Sequence, residues 1–301
     1  MNEFERLFDV SGLSLDRLRT FLRVVEAGNL SKAALGDPTK QSQFSRQIKE
    51  LEAFFGVALT RRVGRRIEIT DEGNRLALII RRQFRELDDF RESMAGRSVS
   101  VRLGSQGSVI DWLVVPRLAV IRQTLGSVLV ELEQMRSADV VRAVADGRLD
   151  FGIVREDAVP SEMKRWELGQ VGYALFAANA LWKGSAAVEE VITKAPVAEL
   201  QTGGQFSERW HQWLSTKSLT PLVFARVSSF TDLTRIVQAG LAAAVLPDLA
   251  TVDFDSKKFT HLPIAALKPR TLVLIANARS LDRSGIAPDA AGKLADILML
   301  G

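Results

Sequence analysis

The chain has 301 residues, two histidines, no cysteine and a formal net charge of +4. That length predicts about two domains, each large enough to bury a core of its own. Without thiols, disulfides, cysteine nucleophiles and cysteine-bound zinc are excluded, and two isolated histidines exclude a histidine cluster, so we expect no metal site and no cofactor.

The N-terminal sequence, MNEFERLFDV, lacks the basic and then apolar pattern of a signal peptide. No stretch of the chain approaches the roughly 18 consecutive apolar residues that a membrane helix needs. We therefore expect a soluble, cytoplasmic protein with no membrane partner.

Three helices are predicted within the first 55 residues. Ser14 is a suitable N-cap for the first helix, and Gly28 is a suitable end. The apolar positions of this helix are Leu15, Leu18, Leu22 and Val25. A short second helix begins near Leu30, and Pro38 breaks the chain before a third helix at residues 40–55. On the third helix, apolar and polar side chains occupy opposite faces, which is typical of the helix that enters the major groove in a helix-turn-helix.

A hairpin is predicted at residues 59–70, where Gly64 allows a tight turn between arginines. Between Asn29 and Ile67 the chain carries eight lysines and arginines against three acidic residues, and this local excess indicates a phosphate partner. The alternative is a solvated charged surface on an ordinary helical domain. The combination favours a winged helix-turn-helix that binds double-stranded DNA. The residues expected to contact DNA are Ser31, Lys32, Thr39, Gln41, Ser42, Ser45, Arg46, Lys49, Arg62 and Arg65.

A long helix is predicted over residues 71–96. A narrow, mostly apolar stripe runs along it at positions that step by four and three: Leu76, Ile80, Gln83, Leu87, Phe90 and Met94. Because such a stripe has little neighbouring core in its own chain, we expect Ile80, Leu87 and Phe90 to pack against a second copy. Packing against the C-terminal domain of the same chain is the alternative.

From residue 97 onwards, strands alternate with helices, which predicts an α/β domain with a mostly parallel sheet. The strands are predicted at residues 99–103, 128–132, 149–154, 171–177, 241–246 and 272–276. Their order suggests two lobes. The first lobe is expected to comprise residues 97–167 and 268–301, and the second lobe residues 168–267.

Segments from both parts of the chain resemble the LysR-type transcriptional regulators. FLRVVEAGNLSKAA, QSQFSRQIKELEAFFG and LTRRVGRRIEITDEG match the N-terminal pattern of this family, and ADGRLDFGIV and AGLAAAVLP resemble landmarks of its effector domain. The resemblance implies a DNA-binding domain at residues 1–70, a linker helix at 71–96 and an effector-binding domain at 97–301 that is similar to periplasmic type II binding proteins. It also implies promoter binding by a homodimer or homotetramer, modulated by a small-molecule effector.

The effector is expected between the two lobes, because loops at strand ends and helix N-termini offer N–H groups to anions. By position in the family, the effector-binding residues are Ser105, Gln106, Ser108, Ser137, Arg155, Gln205 and Phe206. Arg155 either pairs with Glu156 or Asp157, or faces the cleft, where it would favour an organic anion.

An α/β enzyme is the main alternative, since a fold alone does not determine function. The sequence contains no G-x-S-x-G, G-x-x-x-x-G-K-[ST] or glycine-rich dinucleotide motif, so we expect no catalytic residue. A solute-binding protein with an appended helical domain would explain the C-terminal part but not the wing.

Overall fold

The computed structural model describes residue 7 and residues 10–63, 66–96, 98–126, 128–182, 187–201, 204–277 and 289–300. The chain divides into two compact units, Met1–Arg97 and Ser98–Gly301. Within the described segments, no helix is long and apolar enough to cross a membrane.

The described part of the first unit contains helices and one antiparallel hairpin. The helices are α1 (Leu15–Ala27), α2 (Leu30–Ala33), α3 (Pro38–Phe55) and α4 (Asp71–Met94), and the hairpin strands are β1 (Thr60–Val63) and β2 (Arg66–Ile69). As predicted, Ser14 caps α1, with its Oγ accepting a hydrogen bond from the Arg17 N–H at 3.3 Å, and Gly28 ends the helix with a φ of 72°.

Helix α3 begins earlier than predicted, and Pro38 starts it instead of only breaking the chain before it. The Asp37 carboxylate accepts hydrogen bonds from the N–H groups of Thr39 and Lys40, which caps the helix. Pro38 is the first residue of α3, where a helix needs no N–H donor and the fixed φ of proline is suitable.

The core of the first unit lies between α1, α3 and the first half of α4. Phe21, Val24 and Leu51 are fully buried in it, whereas Leu15 is exposed, so the buried face of α1 is rotated from the predicted one. The prediction that Ile80 packs against a second copy is wrong, because Ile80 is 2% exposed and packs in this core. Further along the same stripe, Leu87 is 56% exposed.

The second unit contains two five-stranded sheets in its described residues. In chain order its strands are β3 (Ser100–Ser105), β4 (Leu129–Gln134), β5 (Phe151–Arg155), β6 (Arg165–Val171), β7 (Tyr173–Ala178), β8 (Pro196–Leu200), β9 (Leu222–Val227), β10 (Ala243–Pro247), β11 (Phe259–Pro263) and β12 (Arg270–Ala276). The first sheet has the order β4-β3-β5-β12-β6 and the second β11-β7-β10-β8-β9. Both are mixed, because β12 is antiparallel to β5 and β6, and β7 is antiparallel to β10 and β11.

The helices of the second unit pack against these sheets. They are α5 (Leu118–Thr124), α6 (Ser137–Ala145), α7 (Val188–Lys194), α8 (Gln205–Thr216), α9 (Phe230–Gln238) and α10 (Ala290–Leu298). Before α5 come a helical turn, Gly107–Val109, a π-helical turn, Ile110–Val114, and a 3-10 turn, Val115–Arg117. Two further 3-10 turns are Glu156–Ala158 and Asp248–Asp253.

The chain passes between the lobes four residues later than predicted. Strand β6 continues through Val171, which pairs with Arg270 of β12, so residues 168–171 belong to the first sheet. The second lobe therefore begins after Gly172, at β7.

One group of contacts between the lobes lies at the π-helical turn. Trp112 comes from this first-lobe segment, yet its side chain is buried in a second-lobe cluster that includes Leu233 and Val237. Its indole Nε1 donates a hydrogen bond to Asp253 at 2.7 Å. Beside it, the hydroxyl of Thr231 on α9 donates to Asp111 at 2.9 Å.

Candidate functional site

The polar face of α3 points away from the core of the first unit, because the opposite face is buried through Phe44, Ile48 and Leu51. Between α3 and the hairpin lies an open groove. The predicted residues that line it are Gln41, Ser42, Ser45, Arg46, Lys49 and Arg62. A second groove beside α2 is lined by Ser31, Lys32, Gln41 and Arg62.

All but two of the predicted DNA-contacting residues thus line one or both of the grooves. Thr39 is exposed in the first turn of α3, and Arg65 lies outside the described residues. Gln41 and Arg62 line both grooves, so the helix and the hairpin present one continuous polar surface.

Glu50, which sequence reasoning missed, orients Arg46. Its carboxylate accepts a hydrogen bond from Arg46 Nε at 3.1 Å and another from Arg17 Nε at 2.5 Å. The bond from Arg17 is the main cause that lowers the pKa of the Glu50 carboxyl below its ordinary value; desolvation opposes this shift and Arg46 reinforces it. Within the described residues, Arg46 uses its Nε for the bond to Glu50, and its two terminal amino groups are left for a ligand.

Glu52, also missed, attaches the hairpin to α3. Its Oε1 accepts hydrogen bonds from the N–H groups of Leu59 and Thr60 at 2.9 Å each, and from the Thr60 hydroxyl at 3.0 Å. At the other end of the hairpin, the Thr70 hydroxyl donates to the Ala58 carbonyl at 2.8 Å and accepts from the Gly73 N–H at 3.0 Å. These bonds fix the position of the hairpin beside α3.

In the second unit, the predicted effector residues of the first lobe follow β3, β4 and β5 at one edge of the sheet. Ser105 is buried, and its hydroxyl donates to the Ile153 carbonyl at 2.7 Å, so its only hydrogen is used inside the sheet. Gln106 is exposed, Ser108 is half-buried, and Ser137 is the buried first residue of α6. Ser105 is therefore poorly placed as a hydrogen-bond donor to a ligand.

Arg155 combines the two arrangements that its position suggests. Its Nε lies 3.2 Å from the Asp157 carboxylate, and its Nη1 donates to the side-chain oxygen of Gln205 in the second lobe. Arg270 Nη1 donates to the same Gln205 oxygen and lies 3.9 Å from Asp157. A single neutral oxygen thus joins two guanidinium groups across the lobes.

Further charge and aromatic surface surround this pair. Arg209, one turn into α8 from Gln205, donates to the Lys268 carbonyl at 2.5 Å. The Tyr173 ring packs on Phe206 with their centroids 4.9 Å apart. Burial raises the pKa of the Tyr173 phenol, while Arg270, Arg209 and Arg155 oppose that rise, which places the phenol within the field of all three arginines. Sequence reasoning missed Arg209, Arg270 and Tyr173.

Both units match family models. The first matches bacterial regulatory helix-turn-helix proteins of the lysR family over residues 15–74, and the second matches the LysR substrate binding domain over residues 95–287. The chain belongs to the LysR family. It is a LysR-type transcriptional regulator with a helix-turn-helix DNA-binding domain and an effector-binding domain, and the enzyme alternative is excluded by this membership.

Relatives of this LysR-type regulator extend over most of its length. The probable HTH-type transcriptional regulator LrrA of Synechococcus elongatus is 25% identical over 283 residues, which cover 88% of this chain and 92% of LrrA. The structure of CbnR complexed with its target DNA has a TM-score of 0.53 at 19% identity and covers 95% of this chain and 99% of CbnR. LysG from Corynebacterium glutamicum with bound effector Arg has a TM-score of 0.58 at 17% identity, covering 95% and 96%. At these identities the two structures support the fold.

Proposed function

We propose that this regulator acts in the cytoplasm, binds promoter DNA as a homodimer or homotetramer through α3 and the hairpin, and changes its DNA binding when a small effector occupies the cleft between the lobes. The observation that carries the proposal is the continuous surface formed by the polar face of α3 and the cationic hairpin. A helix with a free polar face fits the major groove, and a neighbouring basic hairpin fits the phosphate backbone. The solved complex of CbnR with its target DNA supports this use of the fold.

Base reading is assigned to the start of α3. Gln41 lies in the first turns of the helix, is exposed, and lines both grooves. Its amide carries both donors and acceptors, which suits the paired donor and acceptor of adenine in the major groove. Arg46, oriented by Glu50, is the second reading residue, because a guanidinium fork matches the two acceptors of guanine.

We expect Gln41→Ala to weaken operator binding by about 1–3 kcal/mol and to relax discrimination at one base pair. The operator is first selected from random DNA with the full-length protein, and affinities for it and for its single-base variants are then measured by fluorescence anisotropy. Gln43→Ala is the matched control, since Gln43 is also exposed on α3 but lines a different pocket, beside α1. If Gln41→Ala reduced affinity equally for operator and random DNA, Gln41 would be a phosphate contact.

The hairpin is assigned to phosphate. We expect Arg62→Ala to weaken binding to all DNA sequences by a similar factor and to reduce the slope of log K against log salt by about 1, because one phosphate contact is lost. The same result is expected for Arg65→Ala. Arg142→Ala is the control, since Arg142 is an exposed arginine of the second unit that pairs with Asp139. Salt titrations with an unchanged slope for the hairpin variants would refute the assignment.

The effector is assigned to the edge of the first sheet and the facing start of α8. Arg155 at the end of β5 and Gln205 at the start of α8 are directly bonded across the lobes, and Phe206 follows Gln205. Gln106, Ser108 and Ser137 follow β3 and β4 at the same edge. LysG is solved with bound effector Arg, which supports a small-molecule site in this fold. Here the positive charge favours an organic anion.

A further inference from the structure

Two partly buried guanidinium groups converge on one uncharged oxygen at the junction of the lobes. The Arg155 and Arg270 side chains are 23% and 13% exposed, and each donates Nη1 to the Gln205 oxygen. In the described part of the chain the buried Nε of Arg270 has no hydrogen-bond partner, and the Nε of Arg155 lies 3.2 Å from Asp157 Oδ1 without the alignment of a hydrogen bond. Buried polar groups are normally satisfied, so an unpaired donor such as Arg270 Nε indicates a missing acceptor.

The local charge is not balanced. Arg270, Arg209 and Arg155 act on the Tyr173 phenol, and the Asp248 carboxylate acts against them. Among the described residues, Asp157 is the carboxylate that pairs with Arg155 and Arg270. Asp157 is 56% exposed, so solvent weakens its attraction. Desolvation lowers the pKa of Arg155, Asp157 opposes the shift, and Arg270 adds to it by repulsion. The two arginines therefore lie close together with less negative charge than they need.

We propose that Arg155 and Arg270 form the anion-binding part of the effector site, and that Gln205 occupies the position of the ligand's carboxylate or phosphate oxygen until the effector displaces it. The inference rests on the proposed function, since it specifies the chemical class of that effector. Guanidinium groups bind carboxylates and phosphates through charge-assisted bonds that are about twice as strong as neutral ones. Gln205 is an exposed residue at the first position of α8, so its side chain can turn towards solvent.

Displacement of Gln205 by an anion would also change the contacts between the two lobes. Arg155 and Arg270 lie on β5 and β12 of the first sheet, and Gln205 begins a helix of the second lobe. An anion that takes over both arginines removes the two bonds that Gln205 makes to the first lobe. Binding therefore exchanges a contact between the lobes for a contact with the ligand, which is the differential interaction that allosteric coupling requires.

The first experiment measures the melting temperature of the full-length protein with malonate, a dicarboxylate, and with inorganic phosphate, at constant ionic strength set with chloride. We expect at least one of the two to raise the melting temperature by about 3 °C or more in a saturable manner, and the neutral diamide malonamide to have no effect.

In Arg270→Gln the half-saturating concentration should rise about 10-fold or more. The control is Arg142→Gln, which should respond like the unaltered protein because Arg142 is exposed and pairs with Asp139. No saturable response to either anion, or equal responses in Arg270→Gln and the unaltered protein, would overturn the proposal.

Two substitutions of Gln205 test whether this residue competes with a ligand or only makes a structural contact between the lobes. Gln205→Glu supplies a permanent carboxylate, so we expect a higher melting temperature without added anion and loss of the anion response. Gln205→Ala removes the internal competitor, so the same anion should bind several-fold more tightly. If Gln205 only tied the lobes together, Gln205→Ala would lower the melting temperature and leave the anion affinity unchanged or weaker.

DNA binding by the unaltered protein distinguishes a failure of the proposed anion site from a failure of the proposed regulator function. If it binds its selected operator but shows no saturable anion response, the anion site is wrong and the regulator function stands. If it binds no DNA fragment in preference to random DNA, the proposed function fails whatever the anions do.

Discussion

Replacing Gly73 with alanine should destabilise the first unit by about 3 kcal/mol and abolish operator binding, although alanine normally stabilises a helix relative to glycine by about 1 kcal/mol. Gly73 is the third residue of α4, and a Cβ at this position would lie 2.3 Å from the Leu59 carbonyl oxygen and 2.8 Å from a methyl group of Ile69. The carbonyl is backbone and cannot rotate away. Either α4 or the base of the hairpin must shift, and with it the contact between the hairpin and α3.

Gly292→Ala is the matched control, because Gly292 is also the third residue of a helix, α10. Its added Cβ would approach the Asp289 carboxylate oxygens at 3.0 Å, and these belong to a short side chain that can turn. We expect the control to leave DNA affinity unchanged and to alter the melting temperature by little or to raise it. Circular dichroism melts and anisotropy titrations of both variants make the comparison. A Gly73→Ala protein that melted and bound like the control would show that the hairpin base adapts.

Replacing Leu87 with glutamate should separate the oligomer into folded smaller species. Leu87 is 56% exposed and Met94 70% exposed, and both continue the stripe that Leu76 and Ile80 begin in the core of the first unit. In a single chain a glutamate at position 87 faces water, whereas against a second copy of α4 it is an unpaired charge in an apolar contact. We expect the dissociation constant of the α4 contact to rise about 100-fold or more, with unchanged helix content.

Sedimentation velocity at micromolar protein measures the species directly. Asn74→Glu is the matched control, since Asn74 is an exposed neutral residue of α4 outside the stripe, and its variant should keep the mass of the unaltered protein. A Leu87→Glu protein of unchanged mass and unchanged melting temperature would exclude this helix as the oligomer contact. Unchanged mass with a lower melting temperature would instead show that Leu87 packs within its own chain.

Local chemistry allowed much of the first unit to be predicted. Caps such as Ser14 and Gly28 depend on the residues next to them, so their positions could be derived from the sequence. The start of α3 was misplaced because Pro38 was interpreted only as a break, although proline also favours the first turn of a helix. The burial of Ile80 depends on how α4 packs against α1, which the spacing of apolar residues on one helix does not determine.

In the second unit, strands were missed where their stability comes from distant partners. Strand β9 alternates between exposed and half-buried residues at the edge of its sheet, and β11 is an edge strand that ends at Pro263. Neither strand has the continuous apolar run from which β5 and β10 were predicted. Strand β6 was interpreted as the passage between the lobes, because its pairing with β12 joins residues about a hundred positions apart.

Most predicted effector residues belong to the first lobe, and only Gln205 and Phe206 were predicted in the second lobe. Arg155 and Gln205 were both selected, but Arg270 was not, because it precedes the predicted strand by two residues and contacts Gln205 from 65 positions away. The bond of Ser105 to Ile153 likewise depends on the neighbouring strand. Such contacts follow from the tertiary fold and have no local signature.

The burial of Trp112 among second-lobe residues opposes wide opening of the two lobes. Any opening of the lobes that withdraws this indole exposes a large apolar side chain to water and breaks its bond to Asp253. The cost is about 3 kcal/mol, which keeps the widely open form below about 1% of the molecules.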